Sequence, residues 1–103
     1  MNQEIQEVKQ EVVGAISSNI EGCSGVAADF LSAHKWKANR IKDDRFLDAY
    51  SQVIEDLQEA EFYLGKIKRV RSEESLFNWA EEYSAFFEAA ERNLENMREK
   101  INA

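Results

Sequence analysis

Two long stretches of helical periodicity, neither containing a proline, restrict the fold of this chain more than any other feature. Between residues 43 and 103, apolar residues return every three or four positions, in one series before Ser72 and another after it. This spacing places each series on one face of an α-helix and predicts two long helices. The short connection at Ser72 makes them antiparallel neighbours. The series are Phe46, Tyr50, Val53, Leu57, Ala60, Leu64 and Ile67, then Leu76, Trp79, Ala80, Tyr83, Phe86, Phe87, Ala90, Leu94, Met97 and Ile101.

The first forty residues predict two shorter helices separated by a turn. Residues 21–25 read Glu-Gly-Cys-Ser-Gly, and two glycines so close together favour a turn. The apolar spacing predicts one helix before this turn and a second from residue 26 to about 39. The second helix is expected to bury Val26, Phe30, Ala33 and one side of Trp36. Whether this second helix continues into the third is left open by weak stop signals. The first series is Ile5, Val8, Val12, Ile16 and Ile20.

These four patterns predict an all-α fold. The chain has 103 residues, with 44% apolar and 32% charged, which is typical of one globular domain over 1–103. Four amphipathic helices are best satisfied by a small antiparallel four-helix bundle. The last two helices are the longest and form a hairpin. Apolar surface protruding beyond the shorter helices predicts a homodimer.

Charge and cysteine content narrow the choice of partners and compartment. The formal net charge of −7 argues against binding to nucleic acid, whose backbone is bound by clustered Lys and Arg. It favours a basic protein partner, or serves simply for good solubility. Cys23 is the single cysteine, so no intrachain disulfide forms. Without an apolar leader or a long apolar run, we expect a cytoplasmic protein that does not enter a membrane.

A row of four glutamates is the first candidate binding surface. Seven-residue spacing places its members on one flank of the last helix, about 10.5 Å apart. The row can attract and orient a basic protein, or it can be a solvated flank interrupted by Arg92 and Arg98. Its members are Glu74, Glu81, Glu88 and Glu95.

Aromatic residues outside the main apolar stripes are the second candidate surface. Phe62 is rotated by about 160° from Phe46 around the third predicted helix, and Tyr63 follows it. Phe77 lies near the edge of the last stripe, and Trp36 stands between two lysines. Such residues are either tolerated surface aromatics or interface hot spots.

Catalytic groups are sparse. Cys23, placed before a predicted helix whose dipole would lower its pKa, is either a reactive thiol or a small buried residue. No cofactor or metal site is predicted, although the pairs Glu55 with Glu59 and Glu88 with Glu91 leave a Mg²⁺-dependent nucleotide hydrolase as the alternative. We therefore expect a non-enzymatic acidic protein that acts through protein contacts, as a homodimer, as a binder or inhibitor of a basic protein, or as both.

Overall fold

Three long helices make up the described part of the chain. The computed structural model describes the backbone of residues 2–38 and 44–102 and the side chains of residues 4–34 and 45–100. The helices are α1 (Asn2–Ala38), α2 (Asp44–Lys68) and α3 (Glu73–Asn102), and these residues contain no strand. The all-α prediction is confirmed. The prediction of four helices is wrong, because the two expected before residue 39 are one. The expectation that the last two helices are the longest is wrong as well, because α1 has 37 residues against 25 in α2 and 30 in α3.

Helix α1 runs without interruption through the segment that predicted a turn. None of the described glycines has a positive φ, so Gly22 and Gly25 adopt helical backbone geometry. Cys23 and Ala27 continue the buried stripe through this segment at helical spacing. Burial along this stripe outweighs the cost of about 1 kcal/mol for each helical glycine. Val26, expected in the core, is 41% exposed, and Ala33, also expected there, is exposed as well. Residues 39–43, which decide whether α1 continues into α2, lie outside the described residues.

Hydrogen bonds within the connection between α2 and α3, and others from α1, stabilise this connection. The Ser75 amide donates to Oγ of Ser72 at 3.2 Å, which caps the start of α3. Lys9 of α1 donates from Nζ to the carbonyl oxygens of Lys68 at 3.2 Å and Val70 at 3.3 Å. Lys9 thus satisfies backbone acceptors at the end of α2, where the helix has no partners of its own.

Contacts along the hairpin show that α2 and α3 are antiparallel, as predicted. Asp56 of α2 is hydrogen-bonded to Asn93 of α3. Tyr63, two turns further along α2, contacts Phe86, which lies two turns earlier on α3. The partner position falls as the position on α2 rises, and this is the signature of antiparallel packing.

Helix α1 lies antiparallel to α2 and therefore parallel to α3. Lys9 reaches the end of α2, whereas His34 stacks on Phe46 at its start, with ring centroids 3.9 Å apart. The Cα extents of 59 × 17 × 16 Å describe a thin, elongated bundle. Its radius of gyration, 16.5 Å, exceeds the roughly 13 Å of a compact domain of this length.

No helix among the described residues has the length and apolar character needed to cross a lipid bilayer.

One apolar seam runs along the axis of the bundle and receives residues from every helix. Helix α1 covers one side of the α2/α3 hairpin, and no described helix covers the other side. The buried residues include Ile16, Ile20, Cys23 and Ala27 of α1, Phe46, Val53, Leu57, Ala60, Leu64 and Ile67 of α2, and Leu76, Tyr83, Ala90 and Met97 of α3.

Candidate protein-interaction surfaces

The four glutamates of the predicted row are all exposed on one flank of α3. They are Glu74, Glu81, Glu88 and Glu95. A single ion pair within the described side chains touches the row, between Arg98 and Glu95 at 3.4 Å. Both partners of this pair are exposed, and such pairs contribute little free energy. Glu74, Glu81 and Glu88 form no ion pair with a described side chain, so their charge is available to another molecule.

Phe77 lies within this row. Its side chain is 58% exposed, and helical spacing places Glu74 one turn before it and Glu81 one turn after it. The sequence placed Phe77 only near the edge of the apolar stripe. Its exposure depends on the position of α1, which packs over the neighbouring Leu76 and leaves Phe77 outside. We call Phe77 and the four glutamates the acidic face.

Phe62 and Tyr63 belong to a cluster of four aromatic rings on the hairpin. The rings of Phe62 and Tyr63 meet edge to face, with centroids 5.3 Å apart. Tyr63 also contacts Trp79 at 5.7 Å and Phe86 at 5.5 Å across the α2/α3 boundary. Tyr63, Trp79 and Phe86 are half-buried. Phe62 is 55% exposed, so it projects from a fixed aromatic base.

Lys66 adds a positive charge to the aromatic cluster. Its Nζ lies 5.2 Å from the ring centroid of Phe62 and 5.9 Å from that of Trp79. These distances are in the range of cation–π attraction, and the two contacts restrain the lysine beside the exposed Phe62 ring.

The predicted binding residues do not form a single site. Trp79 of the aromatic cluster and Glu81 of the acidic face are two positions apart on α3, which separates their directions by about 200° around the helix. Glutamates and rings therefore lie on different sides of the hairpin. Trp36 belongs to α1, and its side chain lies outside the described residues.

A buried carboxylate links α2 to α3 near the aromatic cluster. Asp56 is 6% exposed, and its oxygens accept hydrogen bonds from Nε2 of Gln52 at 3.2 Å and Nδ2 of Asn93 at 3.0 Å. Nδ2 of Asn93 also donates to the carbonyl oxygen of Ala89, at 3.1 Å. Nothing in the sequence marked Asp56, because its position at the edge of the apolar stripe is typical of a solvated residue.

Cys23 is a free thiol buried in the core. Burial raises its pKa, and the negative charge of Glu91 raises it further. The position lies in the middle of α1, so the expected helix N-terminus that would lower the thiol pKa does not exist. Cys23 therefore stays protonated at neutral pH and serves as a small core residue.

Tyr83 lies near Cys23 between α1 and α3. Its hydroxyl is buried, and no hydrogen bond of acceptable geometry reaches it within the described part of the chain. Burial raises the Tyr83 pKa, and Glu91 and Cys23 add to this effect, while the nearby Asn19 side chain opposes it. Asn19 offers the hydroxyl at most a poorly formed hydrogen bond, so its desolvation is only partly repaid.

No group of three or more His, Cys, Asp or Glu side chains that could hold a metal ion occurs within residues 4–34 and 45–100. The paired glutamates considered for Mg²⁺, Glu55 with Glu59 and Glu88 with Glu91, are exposed.

Comparison of the chain with models of known protein families, with curated protein sequences and with solved structures finds no match in any of the three.

Proposed function

We propose that this chain is a non-enzymatic interaction protein that binds a basic protein through the acidic face of α3. One observation carries the proposal: Phe77 is 58% exposed in line with four exposed glutamates. Burial of an exposed aromatic ring in a partner's pocket favours binding. The carboxylates around the ring favour a partner that carries positive charge at the same place.

The two kinds of group make different contributions. Burial of a phenylalanine side chain is worth about 1.5–3 kcal/mol, so Phe77 supplies affinity and slows dissociation. The glutamates act over a longer distance and speed association, an effect that salt screens. The net charge of −7 adds to their negative potential. Together these charges favour a partner with an apolar pocket that is surrounded by Lys and Arg.

Pull-down from the source lysate, followed by mass spectrometry, tests the proposal. The wild type is compared with an E81K/E88K/E95K variant and with an E7K/E11K/E21K variant. The second is the matched control, because it changes the net charge equally at exposed positions of α1. We expect the wild type and the control to retain the same basic protein, and the acidic-face variant to lose it. Equal retention by all three, or retention of no basic protein by any of them, would contradict the proposal.

A further inference from the structure

The second exposed aromatic residue, Phe62, lies at the centre of a charge pattern that changes sign along α2. Glu59 and Glu55 precede it by three and seven positions, and Lys66 and Arg69 follow it by four and seven. These spacings place Phe62, Lys66 and the two glutamates on one side of the helix. Arg69 lies one residue beyond α2, in a tight turn in which its amide donates to the carbonyl oxygen of Lys66 at 3.1 Å, so it stays next to the end of the helix. We call these five residues the α2 outer face.

The charges of this face are not paired with an opposite charge within the described chain. Glu55, Glu59 and Arg69 are exposed, and Phe62 is 55% exposed. None of the four charged side chains forms an ion pair with another described residue. Lys66 interacts with the rings of Phe62 and Trp79, which leaves its positive charge uncompensated.

We propose that the α2 outer face binds a second copy of this chain, with the two α2 helices antiparallel and the two-fold axis passing beside Phe62. Two-fold symmetry pairs each residue before Phe62 with one equally far after it in the other copy. Glu55 of one copy then meets Arg69 of the other, and Glu59 meets Lys66 within one position. Each of these pairs occurs twice, and the two Phe62 rings pack against each other at the centre.

The charge pattern of the α2 outer face favours a second copy of the chain over other partners. A basic helix on the same face would be repelled by Lys66 and Arg69, and an acidic one by Glu55 and Glu59. A parallel pair of α2 helices would oppose like charges at every level, which is destabilising. The antiparallel copy is the arrangement that compensates all four charges.

The neighbouring side chains support such a contact. Tyr63 packs against the Phe62 ring and is itself held by Trp79 and Phe86. This contact restricts the Phe62 ring, so less side-chain entropy is lost when the ring is buried. The face from Glu55 to Arg69 is about 21 Å long on an ideal helix. The surface beside it widens the contact toward α3 and is lined by Gln52, Asp56, Gln58 and Phe86.

The acidic face lies on a different side of the hairpin, so the two surfaces are available independently. Self-association and binding of a basic protein can therefore fail separately in experiments.

Analytical ultracentrifugation over a wide concentration range tests the dimer. We expect the wild type to form a dimer, and Phe62→Ser to shift the dissociation constant at least tenfold toward monomer. Circular dichroism checks that this variant keeps its helix content, as expected for a side chain that is mostly exposed in the monomer. The acidic-face variant E81K/E88K/E95K is the control that should still dimerise.

A charge exchange tests the register. E55K/E59K and K66E/R69E should each be monomeric alone, because every pair across the two-fold axis becomes repulsive. Mixed in equal amounts, they should form a heterodimer, since all pairs become attractive again. A monomeric wild type, a dimer that neither variant weakens, or a mixture that stays monomeric would overturn the proposal. So would a monomeric chain that captures a different protein through Phe62.

Discussion

Asn93 of α3 donates a hydrogen bond from Nδ2 to Oδ2 of Asp56 on α2, at 3.0 Å, across the boundary between the two helices. Asp56 is the one buried charged residue among the described side chains. A polar pair at one level of an apolar seam fixes how the two helices are aligned, because sliding by one turn would leave the carboxylate without its donor. The pair therefore specifies the hairpin on which both proposed surfaces are displayed.

Removal of Asn93 alone should destabilise the fold. In Asn93→Leu the buried Asp56 carboxylate loses a donor, and we expect the free energy of unfolding to fall by about 1–3 kcal/mol. Urea denaturation measures the change. The double variant D56L/N93L, which removes both polar partners, should recover part of this loss. Glu61→Ala, at an exposed position of α2 outside the α2 outer face, is the control and should change stability by less than about 0.5 kcal/mol. Equal effects of N93L and E61A would contradict the assigned role.

Alanine at the glycines of α1 should stabilise the protein. Gly22 and Gly25 lie in helical backbone, and a Cβ at either position would meet nothing within 4 Å. Each substitution to Ala should therefore raise the free energy of unfolding by about 1 kcal/mol. Thermal unfolding followed by circular dichroism gives the sign directly. If residues 21–25 formed a turn with a positive φ, both substitutions would instead be destabilising.

Stability should decline in alkaline solution because of Cys23 and Tyr83. Both groups have a raised pKa in the folded protein, from ordinary values of 9.0 for the thiol and 10.0 for the phenol. Above these values the unfolded chain releases protons that the fold retains, so the free energy of unfolding falls as the pH rises. Below about pH 8 the contribution is constant.

The variant C23A/Y83F isolates this effect. Its stability should depend less on pH than that of the wild type between about pH 8 and 11, where both groups lose their protons in the unfolded chain. Calorimetry at matched pH values measures the difference between the two proteins. Parallel curves for the two would show that neither group accounts for the alkaline decline. At neutral pH, Tyr83→Phe alone should be neutral or stabilising, because the buried hydroxyl has no well-formed hydrogen bond.

The hairpin was predictable from sequence because its two apolar stripes are long and its connection is short. The acidic row followed from the seven-residue spacing, and the phase of Phe62 on α2 placed it outside the seam. A turn was wrongly predicted at residues 21–25 because two glycines favour one locally. Burial of the α1 stripe against the hairpin outweighs this preference, and that burial depends on contacts between distant parts of the chain. The burial of Asp56 and the exposure of Phe77 depend on how the helices are placed around one another. Those positions are set by packing between distant residues, which a single sequence does not display.

The association rate of the captured basic partner, measured as a function of salt concentration, tests the central claim most directly. For the wild type and E7K/E11K/E21K, we expect the rate to fall steeply as salt rises, because the acidic face attracts the partner over a distance. For E81K/E88K/E95K the rate should be much lower at low salt and should not fall as salt rises. Phe77→Ala should leave the rate nearly unchanged and speed dissociation. Identical salt dependence in the wild type and both lysine variants would contradict the account, since the partner would then bind elsewhere.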